Sequence, residues 1–430
     1  MTGPERRFFV SPILLDAATK GSSLLSLVLM GVFGVKLLVR LLRVLRGQEE
    51  ASCPPRRGGA YGRGVLLAML AAVLSRMLIY LIAWWMYRAM GREGGFFETL
   101  KPLWIHWDTR HYLNIAQNGY TNVGDERLQI VFFPLYPALM RLVSAVTGGD
   151  VFYAGLAVSL VCSALCAGLL YALAEECFDR RTGALAVGYF LLSPLSVFLC
   201  CAYTEALFIC LTLLTVMLQR HGHPYLAALC GMFSALTRMP GVIVAGLFII
   251  AAIGRLGQGK LRIRDAAACA LQVAIVFMGL VIYWLINDAV TGDPMTYMTY
   301  QRENWYQAPG SFWQTTENTA YYFLTTMGDD DWLFTWGFQL VCIFYVLALL
   351  AASGGRLPFD LAAYSFVYVA VVLAPTWLLS GPRYLYALAP LPILKARAHK
   401  GWRMHLTAMA LSGALLIIWI FGYTIAVEVL

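Results

Sequence analysis

The sequence predicts an all-α fold: a polytopic bundle of roughly 10–13 membrane segments, since a spanning helix needs about 20 apolar residues. Composition is the first reason. Sixty per cent of the 430 residues are hydrophobic and 13% charged, against about 45–50% and about 25% in soluble domains. Run length is the second: apolar stretches recur from residue 22 to the C-terminus with short polar breaks between them. Charge placement is the third. The net charge of +8 resides in short loops between apolar runs, the distribution that the bias of Lys and Arg toward cytosolic loops produces. The expected surroundings are membrane lipids and not nucleic acid.

Residues 22–39 form the first apolar run, which is expected to serve as an uncleaved signal. It passes into Lys36, Arg40, Arg43 and Arg46, and Arg56, Arg57 and Arg63 follow, opposed only by Glu49 and Glu50. This basic loop is assigned to the cytosol; a basic helix lying on the membrane would leave it on the same side. Residues 1–63 are read as an N-terminal membrane segment with its loop, and 64–430 as one catalytic membrane domain. The run 65–87 then delivers 91–130 to the opposite face. The run 138–146 is too short to span and is entered through two prolines in FFPLYP, so a partly inserted helix is predicted. Residues 151–174 return. Residues 184–200 are broken at Ser193 and Pro194. Residues 206–218 follow, and 225–236 and 241–253 flank Arg238. The loop 254–264 carries Arg255, Lys260, Arg262 and Arg264 and is again cytosolic. After 266–287 comes a long aromatic and polar loop, 288–331. A hairpin of spans at 332–352 and 359–379, the basic segment 395–403 and a last span at 405–427 complete the chain. The cysteines sit mostly in apolar runs and read as small buried hydrophobes. The threading brings Asp108, Glu205, Arg238 and Arg383 to one membrane face, opposite the basic loops.

Residues 104–120, WIHWDTRHYLNIAQNGY, hold the densest chemistry. An ionisable group beside hydrocarbon is expensive and usually has a task. Asp108 has two open readings: a general base for a hydroxyl, or the N-cap of a helix ending at Asn118 and Gly119. His106 and His111 lack the companions of a metal site, so His111 reads as a hydrogen-bond donor to substrate or a satisfied interface residue, and no metal or other cofactor is expected. Glu205 lies in AYTEALF. Arg238 and Arg383 either pair with it to hold helices together or fork onto the phosphate of a lipid carrier. Trp305, Tyr306, Phe312, Trp313, Tyr321 and Tyr322 line a sugar or lipid site or form an interface belt. No phosphate-binding, dinucleotide-binding or GxSxG motif is present, so ATP hydrolysis, nicotinamide chemistry and α/β-hydrolase chemistry have no support.

Trp107, Asp108, Tyr112, Ile115, Ala116, Gly119 and Tyr120, followed by FFPLYP, resemble the PIG-V family, the GPI mannosyltransferase II enzymes. SPLSVFLCCAYTEALF, LTRMPGVIVAG and SGPRYLYALAPLPIL are similar to it in the same order, so the resemblance covers about residues 65–394. It implies a GT-C-like enzyme of the endoplasmic reticulum membrane with a lumenal site. The implied reaction moves mannose from dolichyl-phosphate mannose to the first mannose of a GPI lipid precursor, as an α-1,6 bond with inversion. Asp108 matches the family's acidic residue, so the resemblance favours the base. Trp107, His111, Tyr112, Tyr136, Glu205, Arg238, Arg383 and Tyr384 are expected to bind substrate. The family's Arg-Asn-Gly reads here Arg238-Met239-Pro240-Gly241, which removes a polar group at Met239. Bacterial relatives imply an alternative, a polyprenyl-phosphate sugar with a non-GPI acceptor. A small partner subunit is a further expectation. Outside this class stand a transporter or flippase, which usually shows inverted repeats that are not visible here, and a non-catalytic scaffold.

Overall fold

In the computed structural model, which describes residues 11–54, 62–329 and 332–426, every regular element is a helix; the Pro309–Pro375 contact is an isolated antiparallel bridge. Arg56, Arg57, Asp331 and the end of the 405–427 run lie outside the described residues.

Helix α1 (Pro12–Leu45) opens on Pro12, where a missing N–H costs nothing, and ends among its own arginines. Helix α2 (Gly62–Ala89) runs back. The polar passage after it folds into α3 (Phe96–Trp104) and α4 (Asp108–Asn118). A 3-10 turn at Asp125–Val131 then meets α5 (Leu135–Thr147) at 105°, with Pro134 in the break, the form of a broken span or of a re-entrant segment. Helices α6 (Val151–Cys177) and α7 (Arg180–Leu191) follow, then a 3-10 turn at Pro194–Leu199, where the chain breaks as Ser193 and Pro194 predict. The break frees carbonyls, and the fully buried Arg76 of α2 donates to Ser196 O at 2.5 Å and Leu191 O at 3.4 Å. Next come α8 (Glu205–Arg220), α9 (Pro224–Thr237), a 3-10 turn at Met239–Val244, α10 (Ala245–Gly257) and α11 (Ile263–Thr291).

Two expectations are corrected in the C-terminal half. The passage 288–331 is not simply a loop: it contains α12 (Thr296–Trp305) and α13 (Phe312–Thr325). Gln314 accepts from the Ser311 N–H at 3.1 Å and hydroxyl at 3.0 Å, a capping box that starts α13, and α13 packs along α1. After a π-helical turn (Trp332–Gly337) and α14 (Phe338–Ser353), the run 359–379 is helical only as α15 (Phe359–Val372). Pro375 ends it, because the residue before a proline is pushed out of the helical region. Thr376 N instead donates to Ala308 O at 2.9 Å. Helices α16 (Gly381–Tyr386), α17 (Leu391–Ala398) and α18 (Trp402–Thr424) complete the fold.

Among the described residues seven helices are long and apolar enough to cross a membrane, or eight where the bent pair is counted as one span, and two shorter apolar helices are α9 and α15. Helix α6 lies centrally, against α2, α5, α7 and α8. Small residues let backbones touch: a Cβ on Gly279 of α11 would lie 2.4 Å from Met232 O of α9, and one on Gly257 would lie 1.9 Å from Val44 O of α1. The basic loops meet at one end. Asp360 N donates to Ala51 O at 3.0 Å, Arg356 donates to Arg397 O at 2.6 Å, and the Arg397 guanidinium lies 4.6 Å from the Phe178 ring. Asp108 stands at the opposite end of the bundle.

Candidate active site

The site begins with a backbone that Trp107 would not choose. Its φ of 42° and ψ of −119° belong to a region populated mainly by glycine, and holding a bulky residue there costs about 1–3 kcal/mol. The neighbours hold it. The Trp107 ring packs edge-on to Tyr423 of α18 at 5.1 Å, Trp104 stacks on the same tyrosine at 5.0 Å, and the Tyr203 hydroxyl donates to His106 O at 3.4 Å. The kink makes Asp108 the first helical residue of α4 and leaves Trp107 in the cap position, with no side-chain cap bond. The N-cap reading of Asp108 therefore fails: its carboxylate turns away from the helix end and accepts from Arg383 Nη2 at 2.9 Å. The Asp108 side chain remains 30% exposed.

Three other elements bring their charged residues to the same point. Glu205 is the first residue of α8, Arg238 is the extended residue after α9, and Arg383 lies in α16. Helix α16 is fixed by Gln339 of α14, whose Oε1 accepts from Gly381 N at 2.9 Å and whose Nε2 donates to Leu378 O at 2.7 Å and Thr319 at 3.1 Å. Arg383 donates to Glu205 Oε1 from Nε at 2.9 Å and from Nη2 at 2.7 Å, and Arg238 Nη1 reaches the same oxygen at 3.0 Å. Glu205 is fully buried, and Arg383 is 4% exposed. Removing charges from water costs several kcal/mol per ion unless they are well paired, and here each has a partner of opposite sign. The Arg383 guanidinium also lies 4.5 Å from the Tyr203 ring and 4.9 Å from that of Phe198, and Arg238 lies 4.5 Å from the Tyr384 ring. Glu205 Oε2 has no partner among the described residues. Arg383 Nη1 and the Nε and Nη2 of Arg238 likewise make no hydrogen bond among the described residues.

The structure thus joins Asp108, Glu205, Arg238 and Arg383, with Tyr384 and Trp107 beside them. His111 stacks on Phe132 at 4.7 Å, and burial holds its imidazole below the usual histidine value, opposed in part by Asp108. Tyr112 is buried behind Asp108, its ring 5.3 Å from Phe132 and 5.4 Å from Tyr136. Tyr136 is not brought into the cluster: it is fully buried, with its hydroxyl bonded to Gly155 O at 2.9 Å and Ser159 at 2.8 Å. His106 is half-buried and 5.7 Å from the Tyr423 ring. No group of three His, Cys, Asp or Glu among the described residues could hold a metal ion. Sequence reasoning missed Tyr203 and Phe198 as surfaces under Arg383. Tyr203 had a signal, two residues before Glu205; Tyr423, from the far end of the chain, had none.

A carboxylate with one oxygen free, beside guanidinium N–H groups that are unspent, is equipped to take a proton from a hydroxyl and to hold an anion. Residues 96–306 match a family described as mannosyltransferase (PIG-V). GPI mannosyltransferase 2 of Schizosaccharomyces pombe is 26% identical over 200 residues, 45% of this chain and 42% of that protein. GPI mannosyltransferase 2 of Drosophila pseudoobscura pseudoobscura is 32% identical over 113 residues, 24% of each chain. The chain therefore aligns with less than half the length of either relative. Among solved structures, ArnT from Cupriavidus metallidurans in the apo state aligns over 73% of this chain and 59% of its own, at 17% identity and a TM-score of 0.47. The oligosaccharyltransferase AglB from Archaeoglobus fulgidus, in complex with an inhibitory peptide and a dolichol-phosphate, aligns over 83% and 56%, at 11% identity and a TM-score of 0.40.

Proposed function

The chain belongs, through residues 96–306, to the PIG-V mannosyltransferase family, and on that premise we propose that it transfers mannose from a lipid-phosphate mannose to a GPI lipid precursor. The reading takes dolichyl-phosphate mannose as donor, the first mannose of the precursor as acceptor, an α-1,6 linkage as product, and the lumenal face of the endoplasmic reticulum membrane as the place. The observation that carries it is the part-open Asp108 carboxylate on Arg383, within the Glu205–Arg238 network.

Asp108 Oδ2 is held by Arg383, which leaves Oδ1 to accept the proton of the acceptor hydroxyl. As that proton moves, the acceptor oxygen bonds to the anomeric carbon from the face opposite the phosphate. The carbon–oxygen bond to the phosphate breaks, and the configuration inverts. The leaving group departs as a lipid phosphate, already a stable anion, so no general acid is required. The unspent N–H groups of Arg238 and Arg383 stabilise the charge that gathers on it. Glu205, fully buried, is a positioning residue: it holds both guanidinium groups in place and meets neither substrate.

The test is transfer by purified chain in lipid, with labelled lipid-phosphate mannose and one-mannose GPI precursor. Asp108→Asn should cost about 10²–10⁴-fold in rate, the usual share of a general base. The protein should stay folded, since Arg383 keeps Glu205. Full activity in this variant sinks the assignment of the base. No product from the unmodified chain sinks the reading as a whole, and transfer only to a non-GPI acceptor assigns the chain to the bacterial-type reaction instead.

A further inference from the structure

At the end of the bundle opposite Asp108 lies a second buried group that the transfer chemistry does not use. Cys53 follows α1, Cys177 closes α6, Arg220 closes α8 and Asp360 lies in the first turn of α15. Arg220, its side chain 2% exposed, grips Asp360 through Nη2 at 2.9 and 2.7 Å and donates from Nη1 to Cys177 Sγ at 2.8 Å. The segment that carries Cys53 is tied to the same group, since Ala51 O accepts from Asp360 N at 3.0 Å, and the Cys53 and Cys177 thiols act on each other. The neighbouring Cys177 thiol, and after it the Arg220 cation, pull the Cys53 thiol down against burial and the Asp360 charge, which favours its thiolate. Cys53 is only half-buried.

A second thiol pair supplies the contrast. Cys162 and Cys210 also act on each other, but both are buried inside the bundle and neither has a cation acting on it. Proximity alone therefore does not set Cys53 and Cys177 apart. The adjoining guanidinium and the access do, and these are the conditions that make a cysteine reactive.

We propose that Cys53 and Cys177 are a hydroperoxide-sensitive pair that closes reversibly into a disulfide. The Cys53 thiolate attacks the peroxide; the O–O bond breaks, an alcohol or water leaves, and Cys53 becomes a sulfenic acid. The Cys177 sulfur attacks that sulfur, the S–S bond forms and water leaves. The two thiols give up two electrons and two protons, and the hydroperoxide becomes its alcohol and water. The bond ties the segment after α1 to the end of α6. A dithiol reopens it by exchange. The basic loops mark this end as the cytosolic one by the charge rule, where a lasting disulfide is rare and a transient one is characteristic of a sensor.

The full chain in native membranes is exposed to dilute hydrogen peroxide, trapped with N-ethylmaleimide, and digested without reduction for mass spectrometry. The expected result is a Cys53–Cys177 linked peptide that is lost on treatment with dithiothreitol and absent from C53S and C177S. Cys162 and Cys210 are expected to stay unlinked. Recovery of Cys53 as free thiol or as sulfinic acid, with no link, overturns the proposal. So does a Cys162–Cys210 link forming equally fast, because oxidation then follows proximity alone. Neither result depends on the transfer reaction.

Discussion

One oxygen of one buried side chain holds the candidate site together: Glu205 Oε1 accepts from two arginines. Glu205→Gln leaves both guanidinium groups without their buried counter-charge, a loss of about 3–5 kcal/mol. Its thermal midpoint should fall well below that of Asp108→Asn, and an unchanged midpoint argues against the network. His111 supplies a pH dependence. The unfolded residue takes its proton near pH 6.5, while burial makes the folded one resist protonation until lower pH. Between those values the unfolded chain binds more protons, so stability falls as the pH falls. His111→Gln should lose less of its midpoint between about pH 7 and about pH 5; a parallel decline in both proteins rejects the effect. At this scale the residues were legible and one reason for them was not. A carboxylate opening a helix reads as a cap from spacing alone; only the dihedral angles at Trp107 show that the carboxylate is turned elsewhere.

Elements place these side chains by how closely they cross. In Arg238-Met239-Pro240-Gly241 the variable position is harmless, because Met239 is 50% exposed. The glycine is demanding: a Cβ on Gly241 would lie 2.2 Å from the backbone carbon of Ser234 in α9. Gly241→Ala should push the 3-10 turn off α9, cost about 1–3 kcal/mol by overpacking, and raise the KM for the lipid donor by moving Arg238. Gly246→Ala, which meets nothing within 4 Å, is the control and should change neither midpoint nor KM. Apolar runs announced most of the helices. They misjudged α15, because hydropathy continues past Pro375 where backbone geometry cannot, and they missed the helices within 288–331. The second of these, α13, is set by a Ser311–Gln314 cap and by packing against α1, a partner some 300 residues away, and α12 by packing on the Asp125–Val131 turn and α11.

For the whole molecule, loop charge foretold that Asp108, Glu205, Arg238 and Arg383 share one end and the basic loops the other, and both ends are assembled so. Which end faces the lumen is testable with a membrane-impermeant maleimide on intact microsomes. Over the native cysteine background, a cysteine at exposed Lys260 should be labelled directly, and one at exposed Asn118 only after permeabilisation. Labelling of both from outside refutes the orientation.

The two carboxylates and two guanidinium groups of the cluster cancel, so the empty site carries no net charge. A lipid phosphate arriving among them brings a negative charge into surroundings where Glu205 is already fully desolvated. Neither carboxylate can take up a hydrogen ion without losing its part, since Asp108 must accept the acceptor's proton and Glu205 must hold both arginines. The heat of donor binding should therefore not vary with the ionisation enthalpy of the buffer, and a slope would show that one of the two carboxylates had been protonated.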